Sequence, residues 1–240
     1  ILLACFLIYG SFNSWVSSGI VETFLVPLAF VAALQLPTVS IVTDKSLRLK
    51  ESMRMMGLRE GPYWASIFIS DGVLMGGILA FLVSLEGLFM KLFWNMGASN
   101  HGQMGLAPFG DFIGFFWFIW GYTLALTALS FFLSTMFDAP QTAGQAAFFT
   151  VLGGLITFLV FIFSPSVLDS ALGTTAKQTL WCLFPPMALQ LGLYSNSYLA
   201  CVSHRAGFEY IPLSTISGML ILDVFVYFFR ACLISKGYVF

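Results

Sequence analysis

The chain has 240 residues, of which 59% are hydrophobic and only 9% are charged. A soluble globular domain carries about 25% charged residues, so this composition excludes an ordinary water-soluble domain and requires contact with lipid. The net charge is −1, and the four cysteines are scattered without CxxC or metal-ligand spacing, so neither nucleic-acid binding nor a zinc site is indicated.

The apolar runs predict one truncated and five full membrane spans. A spanning helix needs about 20 residues, so the apolar run at 1–9 is interpreted as the end of a first span. No basic segment precedes it, so we interpret the chain as a fragment that begins inside a span, not as a chain with a signal peptide. The full spans are predicted at 24–42, 63–88, 112–137, 146–163 and 216–234. An all-α membrane protein with a single transmembrane domain, 1–240, is therefore expected.

The segment 164–198 differs from the spans because prolines and charges interrupt its short apolar pieces. The interruptions include Pro165, Asp169, Lys177 and the pair Pro185 and Pro186. Non-helical backbone at membrane depth is tolerated only where protein covers it. The expected form is therefore a hairpin of two short helices that dips into the membrane and returns. Loops are predicted at 91–111 and 197–212.

The basic residues are divided unevenly between the two ends of the spans. One end carries Lys45, Arg48, Lys50, Arg54, Arg59, Arg230 and Lys236, and the other carries Lys91, Lys177 and Arg205. Lys and Arg near span ends are enriched on the cytoplasmic side. The charged connection at 43–62 and the turn at 138–145 are therefore expected in the cytoplasm, and the hairpin on the outer side.

The charged connection contains a predicted amphipathic helix at 44–58. Two opposed apolar ridges run along it, one formed by Leu49, Met53 and Met56 and the other by Leu47 and Leu58. A helix lying on lipid alone would show one apolar face, so two ridges indicate a helix held between the membrane bundle and a cytosolic partner. Gly57 would end the helix. A positively charged loop that only fixes the topology is the alternative that the spacing leaves open.

Three carboxylates, Asp71, Glu86 and Asp223, lie in or near predicted spans. A charge in hydrocarbon costs about 2.5–3.5 kcal/mol on insertion scales, so each is a candidate functional residue. Asp71 and Glu86 are expected near span ends, where they reach water. Asp223 is expected about a third of the way into its span, bonded to a polar group on a neighbouring helix, with a proton-relay role as the alternative.

Glycines, cysteines and catalytic motifs give weaker signals. The small-residue patches that would let helices approach closely are Gly72, Gly76 and Gly77, and Gly153 with Gly154. Cys182 and Cys201 both fall on the outer side, which permits a disulfide without predicting one. The sequence has no GxxxxGK[ST] loop, HExxH motif or Ser-His-Asp pattern, so no catalytic, cofactor or metal site is predicted in it.

The run at 42–58, VTDKSLRLKESMRMMGL, resembles the signature that follows the second span in ABC exporters of the A subfamily. That signature is an acidic-Lys pair, then Arg-Leu-Lys-Glu, one residue, Met, two residues and Met-Gly-Leu. Shorter stretches at 130–137, 183–188 (LFPPMA) and 217–223 (SGMLILD) resemble the end of the fourth span, the outer hairpin and the start of the sixth span. The resemblance extends from about residue 20 to the C-terminus.

This resemblance implies a six-span transmembrane domain of ABC exporter type, with the hairpin at 164–198 on its outer side. In the family, two such halves are each followed by a cytosolic ATPase domain that uses ATP and Mg, and most substrates are lipids. A large ectodomain separates the first two spans in the family, whereas about a dozen residues do so here. The ectodomain is therefore either lacking in this protein or removed from this sequence.

The resemblance also implies that the helix at 44–58 docks on the ATPase domain and transmits its motion. The residues implied in this coupling are Asp44, Lys45, Arg48, Leu49, Lys50, Glu51, Met53, Arg54, Met56, Gly57 and Leu58. Further implied partners are the lipid bilayer with a lipid-like substrate, and a second six-span half or a homodimer partner. ATP and Mg would bind in the ATPase domain, not in this segment.

The sequence therefore predicts the transmembrane half of an ATP-driven transporter that moves lipids or other amphipaths. The substrate would contact apolar residues of the second and fifth spans and of the hairpin. One alternative is an ion-coupled transporter or channel that uses Asp71, Glu86 and Asp223 without ATP. Another is a membrane scaffold that transports nothing.

Overall fold

A computed structural model of the chain describes residues 26–49, 55–57, 60–97, 112–163, 175–195 and 213–235. The regular elements in these ranges are all helical, which confirms the expected all-α class. They are α1 (Val31–Ser46), α2 (Glu60–Ile67), a π-helical segment (Phe68–Met75), α3 (Gly76–Gly97), α4 (Phe112–Met136), α5 (Pro140–Phe163), α6 (Thr175–Trp181), α7 (Pro185–Ser195) and α8 (Leu213–Ser235).

Five helices in the described part of the chain are long and apolar enough to cross a membrane. They are Val26–Ser46, Gly61–Glu86, Phe112–Met136, Pro140–Val160 and Ser214–Leu233. Each corresponds to one full span expected from the sequence. The truncated span at 1–9, Cys201 and most of the loops at 91–111 and 197–212 lie outside the described residues.

Several helix ends differ from the expected ones. α1 continues four residues beyond 42 to Ser46, and α3 continues beyond 88 to Gly97. α5 begins at Pro140, six residues before the expected start at 146. Proline suits the first position of a helix because it has no N–H that needs a partner there. Polar residues at these ends indicated loops, whereas the helices simply extend beyond their apolar stretches.

The second full span is one continuous helix in which α2 and α3 flank the π-helical segment. The amide of Gly76 donates to the carbonyl oxygens of Asp71 and Val73, so the helix widens locally before α3 begins. Such segments are rare and occur frequently at functional sites. Asp71 lies in this segment, ten residues after Gly61, the first residue of the span. The expectation that Asp71 lies near a span end is therefore wrong.

α4 is the central helix of the bundle. Its largest buried side chains include Phe118, Tyr122 and Phe131, and it packs against α1, α3, α5, α7 and α8. A helix that is apolar on all sides is typically buried, which explains why α4 shows no polar face. The outer helices instead expose apolar side chains such as Ile78, Phe149 and Phe225, as lipid contact requires.

Glycines allow the closest helix contacts in the bundle. A Cβ added to Gly72 would lie 2.8 Å from the Oγ1 of Thr127, and one added to Gly76 would lie 2.7 Å from the Oγ1 of Thr123. At Gly154 an added Cβ would lie 2.7 Å from the Cβ of Pro186. The close approach predicted for these three glycines is thus confirmed, and it joins the second full span to α4 and joins α5 to α7. At Gly153 the prediction is wrong, because an added Cβ would meet nothing within 4 Å among the described residues.

The backbone amides of the hairpin bend between α6 and α7 find hydrogen-bond acceptors within the hairpin itself. The amides of Cys182, Leu183 and Phe184 donate to carbonyl oxygens of the last turn of α6. α7 begins with two prolines, which have no N–H, and the next two amides, of Met187 and Ala188, both donate to the carbonyl oxygen of Phe184. Unpaired amides are costly away from water, so this sequence suits a helix that begins inside the bundle. The described residues 175–195 have the predicted helical form.

Candidate functional site

Two adjacent residues on the last turn of α1 contact different segments of the chain. The Oη of Tyr63, near the start of the second full span, donates to the Oδ2 of Asp44 at 3.2 Å. The Nζ of Lys45 lies 2.6 Å from the Oδ1 of Asp138 and donates to the carbonyl oxygen of Phe137 at 3.5 Å. Both acceptors belong to the short turn between α4 and α5. We call these five residues the charged junction.

The ion pair in the charged junction faces solvent. The side chains of Lys45 and Asp138 are 47% and 90% exposed. The hydrogen bond from Lys45, and then its positive charge, hold the pKa of Asp138 below its usual value. The carboxyl group of Asp138 is therefore ionised at neutral pH. An exposed pair of this kind is weakened by salt and contributes little to stability, so it can break and re-form without unfolding the bundle.

The chain leaves α1 through a left-handed residue. The amide of Leu47 donates to the carbonyl oxygen of Thr43, and Arg48 has a φ of 53°. A residue other than glycine in this conformation is uncommon and cannot continue a right-handed helix. The predicted single helix 44–58 is therefore wrong at its N-terminal end: Asp44 and Lys45 belong to α1, and the helix is broken at Arg48. At the other end Gly57 has a φ of 91°, the conformation that a helix terminator requires.

The described residues of the connection present apolar side chains to solvent. Leu47, Leu49, Met55 and Met56 are all exposed, Met56 to 79%. They follow the polar contacts of the charged junction and lie outside the spans. Exposed apolar side chains outside the spans are candidates for an interaction surface. The predicted coupling residues Lys50, Glu51, Met53, Arg54 and Leu58 lie outside the described residues.

Asp223 lies fully buried on α8, ten residues after Leu213 and therefore near the middle of its span. Among the described residues, none donates a hydrogen bond to either carboxylate oxygen. The bond expected between Asp223 and a neighbouring helix is thus not found in the described structure. One turn further along α8, the Oη of Tyr227 donates to the carbonyl oxygen of Leu183 at 2.9 Å, which joins α8 to the hairpin bend.

The three carboxylates of the ion-coupled alternative are not brought together into a metal-binding group. Asp71 accepts a hydrogen bond from the hydroxyl of Ser70 at 3.1 Å, and Glu86 lies fifteen residues further along the same continuous helix. At about 1.5 Å per residue this separation is roughly 20 Å. In the described ranges, no group of three or more His, Cys, Asp or Glu residues could hold a metal ion.

Three residues that make contacts between helices were not predicted from the sequence. Tyr63 and Asp138 are held to α1 by contacts between residues far apart in the chain, and no local pattern predicts them. Gln190, in the apolar run ALQLGL, is fully buried. With its amide oriented to satisfy both neighbours, its nitrogen donates to the carbonyl oxygen of Gly154 at 3.1 Å and its oxygen accepts from the amide of Leu155 at 3.2 Å. A glutamine inside an apolar run was the available signal for this contact.

In the part of the chain that the structure describes, five apolar helices with a buried central helix and a short helical hairpin define an integral, multi-pass, all-α membrane domain. Comparison with known proteins gives its family. A family model described as ABC-2 family transporter protein matches residues 9–233. The chain therefore belongs to the ABC-2 family of transporter proteins.

Similar proteins place the domain in the A subfamily of ABC transporters. ABC transporter A family member 9 of Arabidopsis thaliana is 29% identical over 154 residues, covering 64% of this chain and 15% of that protein. ATP-binding cassette sub-family A member 17 of Rattus norvegicus is 25% identical over 224 residues, covering 88% of this chain and 11% of that protein. ATP-binding cassette sub-family A member 7 of Mus musculus is 27% identical over 216 residues, covering 83% of this chain and 9% of that protein.

The chain thus spans 15% or less of the length of these relatives. The resemblance to the A subfamily predicted from 42–58 is confirmed. The protein is a membrane component of an ABC transporter.

Proposed function

We propose that this domain is the transmembrane half of an ATP-driven transporter for a lipid or another amphipathic molecule. In this proposal, the connection between α1 and α2 receives the motion of a cytosolic ATPase domain. The observation that carries the proposal is the position of this connection. It begins at the charged junction, where the ends of several spans meet, and it exposes Leu47, Met55 and Met56 beyond them.

The proposed mechanism follows from what the connection contacts. An ATPase domain that docks on the exposed Met55 and Met56 would displace the connection when it moves. Because α1 continues without interruption to Ser46, a displacement at Leu47 acts directly on a membrane span. The hydrogen bond between Asp44 and Tyr63 passes part of the displacement to α2. Packed helices respond to such forces by small sliding movements.

ATP and Mg would be bound by the ATPase domain in this proposal. The present sequence contains no phosphate-binding loop, and the relatives that it matches are named ATP-binding cassette or ABC transporters. A second transmembrane half, or a second copy of this chain, would complete the transporter. This chain supplies the spans and the surface that the ATPase domain contacts.

An amphipathic substrate suits the exposed faces of α1 and α5. These helices pack side by side: a Cβ added to Gly144 on α5 would lie 3.0 Å from the Cγ2 of Val39 on α1. Leu36 on α1 and Phe149 on α5 are among the exposed apolar side chains of the pair. Such side chains can contact acyl chains, so we propose that a lipid-like substrate moves along this pair of helices, which are the second and fifth spans of the family pattern.

The test is to replace Met56 by Asp in the complete transporter, reconstituted with its ATPase domains in lipid vesicles. A charge on the docking surface should lower the number of labelled lipid molecules moved per ATP hydrolysed at least about fivefold. That loss corresponds to about 1 kcal/mol in the docking equilibrium. Met56→Leu, which keeps the side chain apolar, is the matched control and should retain the wild-type ratio.

Two outcomes would contradict the proposal. A wild-type ratio in the Met56→Asp protein would show that the connection does not transmit the motion. Transport that continues without ATP, but is lost when Asp223 is replaced by Asn, would support the ion-coupled alternative instead.

A further inference from the structure

The turn between α4 and α5 is joined to α1 by one side chain that makes two contacts. The Nζ of Lys45 lies 2.6 Å from the Oδ1 of Asp138 and 3.5 Å from the carbonyl oxygen of Phe137. α4 ends at Met136 and α5 begins at Pro140. Lys45 therefore holds the one short segment through which the end of α4 and the start of α5 are connected.

Asp44 and Lys45 divide the contacts of the connection between two groups of helices. Asp44 accepts a hydrogen bond from Tyr63 and so contacts the second full span. Lys45, the next residue, contacts the turn that joins α4 to α5. Together they connect the end of α1 to the start of the second full span, the end of α4 and the start of α5. A displacement of the connection can therefore act on four spans.

We propose that Lys45 and Asp138 are positioning residues for coupling, which make the α4–α5 turn move together with the base of the connection. The inference rests on the proposed function and extends it to a second segment of the chain. With the pair formed, a displacement at Leu47 moves the start of α5 as well as the end of α1. With the pair broken, it acts on α1 and α2 alone, and α5 follows only through its packing against α1.

The exposure of the pair fits this role. A buried ion pair would be costly to separate, whereas a pair at 47% and 90% exposure can be separated and re-formed as helices slide. Screening by salt is the consequence that can be measured, because charges that face solvent attract each other less at high ionic strength. If the helices were in contact through apolar packing alone, their coupling would not weaken as the salt concentration rises.

The test uses charge reversal in the complete transporter with its ATPase domains, reconstituted in lipid vesicles. The variants are Lys45→Asp, Asp138→Lys and the double variant that exchanges the two charges. Each single variant should move about two- to fivefold fewer lipid molecules per ATP hydrolysed, the range expected for losing an exposed ion pair. The double variant should recover at least about half of the loss, because the exchanged charges attract again.

Arg230→Glu is the matched control. Arg230 is an exposed basic residue near the end of α8 on the same side of the bundle, and its reversal changes the net charge as Lys45→Asp does. Its ratio of lipid to ATP should stay at the wild-type value. Raising the salt concentration should lower the wild-type ratio, whereas it should not lower the ratio of either single variant, in which salt screens a repulsion instead of an attraction.

Failure of the inference can be distinguished from failure of the proposed function. Wild-type ratios in both single variants, or a double variant no better than either, would overturn the inference while an uncoupled Met56→Asp protein still supported the proposed function. A coupled Met56→Asp protein would overturn the proposed function, and the inference with it. If a charge-reversal variant does not fold, Lys45→Gln and Asp138→Asn take its place, since they remove the same attraction without adding repulsion. A wild-type ratio of lipid to ATP in both of these variants would overturn the inference.

Discussion

The charged junction and the membrane core hold helices together in opposite ways. At the junction, the ends of the spans are connected by the side chains of Asp44, Lys45 and their partners, and the ion pair is open to solvent. In the core, backbones approach so closely at Gly76 and Gly154 that a single added carbon would collide with the neighbouring helix. The junction can therefore be remade at little cost, whereas the core cannot change its spacing without repacking.

The charged junction is therefore the part of the molecule that we expect to move. The closely packed core around α4, which we call the frame, is expected to keep its helix contacts. The hairpin belongs to the frame: Gln190 bonds to α5, Tyr227 on α8 bonds to the bend, and the residues of α7 around Gln190 are buried. Regions with few buried contacts open at lower free energy than well-packed ones. A displacement that enters at Leu47 is expected to shift whole spans around α4, with the glycine contacts between helices kept.

The largest expected effect is at the contact between α5 and the hairpin. Gly154→Val should destabilise the protein by about 1–3 kcal/mol because its side chain would collide with Pro186 and Phe184. Gly153→Val makes the same change of residue on the neighbouring position, where an added Cβ meets nothing within 4 Å, and should unfold near the wild-type temperature. Thermal unfolding of the two purified variants in detergent measures the difference. Equal unfolding temperatures would mean that this contact does not hold the frame.

A smaller effect is expected from removing one hydroxyl group from the frame. Tyr227→Phe breaks the hydrogen bond to the carbonyl oxygen of Leu183 and should cost about 0.5–1.5 kcal/mol, as bonds between membrane helices do. Tyr122→Phe is the control. Its hydroxyl is buried on α4 and has no hydrogen-bond partner among the described residues, so its removal should be neutral or stabilising.

Denaturant unfolding of Tyr227→Phe, Tyr122→Phe and the wild-type protein measures the change in the free energy of unfolding for each variant. A loss of stability in Tyr122→Phe as large as in Tyr227→Phe would show that the bond to the hairpin bend is not what stabilises α8 against α6 and α7.

The spans could be predicted from the sequence because hydropathy depends only on local composition. Their ends could not, since they depend on partners that are distant in the chain. Asp44 and Lys45 were assigned to a separate helix because charged residues usually follow a span. In the structure they lie on α1, where their side chains contact Tyr63 and Asp138.

The same limitation applies to the candidate site. The periodicity of apolar residues predicted a helix through Arg48, but periodicity does not show the left-handed φ that breaks it. Asp71 was expected near a span end because a charge in hydrocarbon is costly, whereas it lies ten residues after Gly61, the first residue of the span. The family signature did predict the membrane domain and its family, since those follow from the identity of residues and not from their contacts.

The central claim is that the connection between α1 and α2 docks on the ATPase domain. Hydrogen exchange of the backbone amides in the stretch 47–57 tests it most directly, measured in the complete transporter and in one from which the ATPase domains have been removed. Exposed residues such as Met55 and Met56 should exchange quickly in the truncated protein and be protected at least about tenfold in the complete one. Equal exchange in both proteins would contradict the claim.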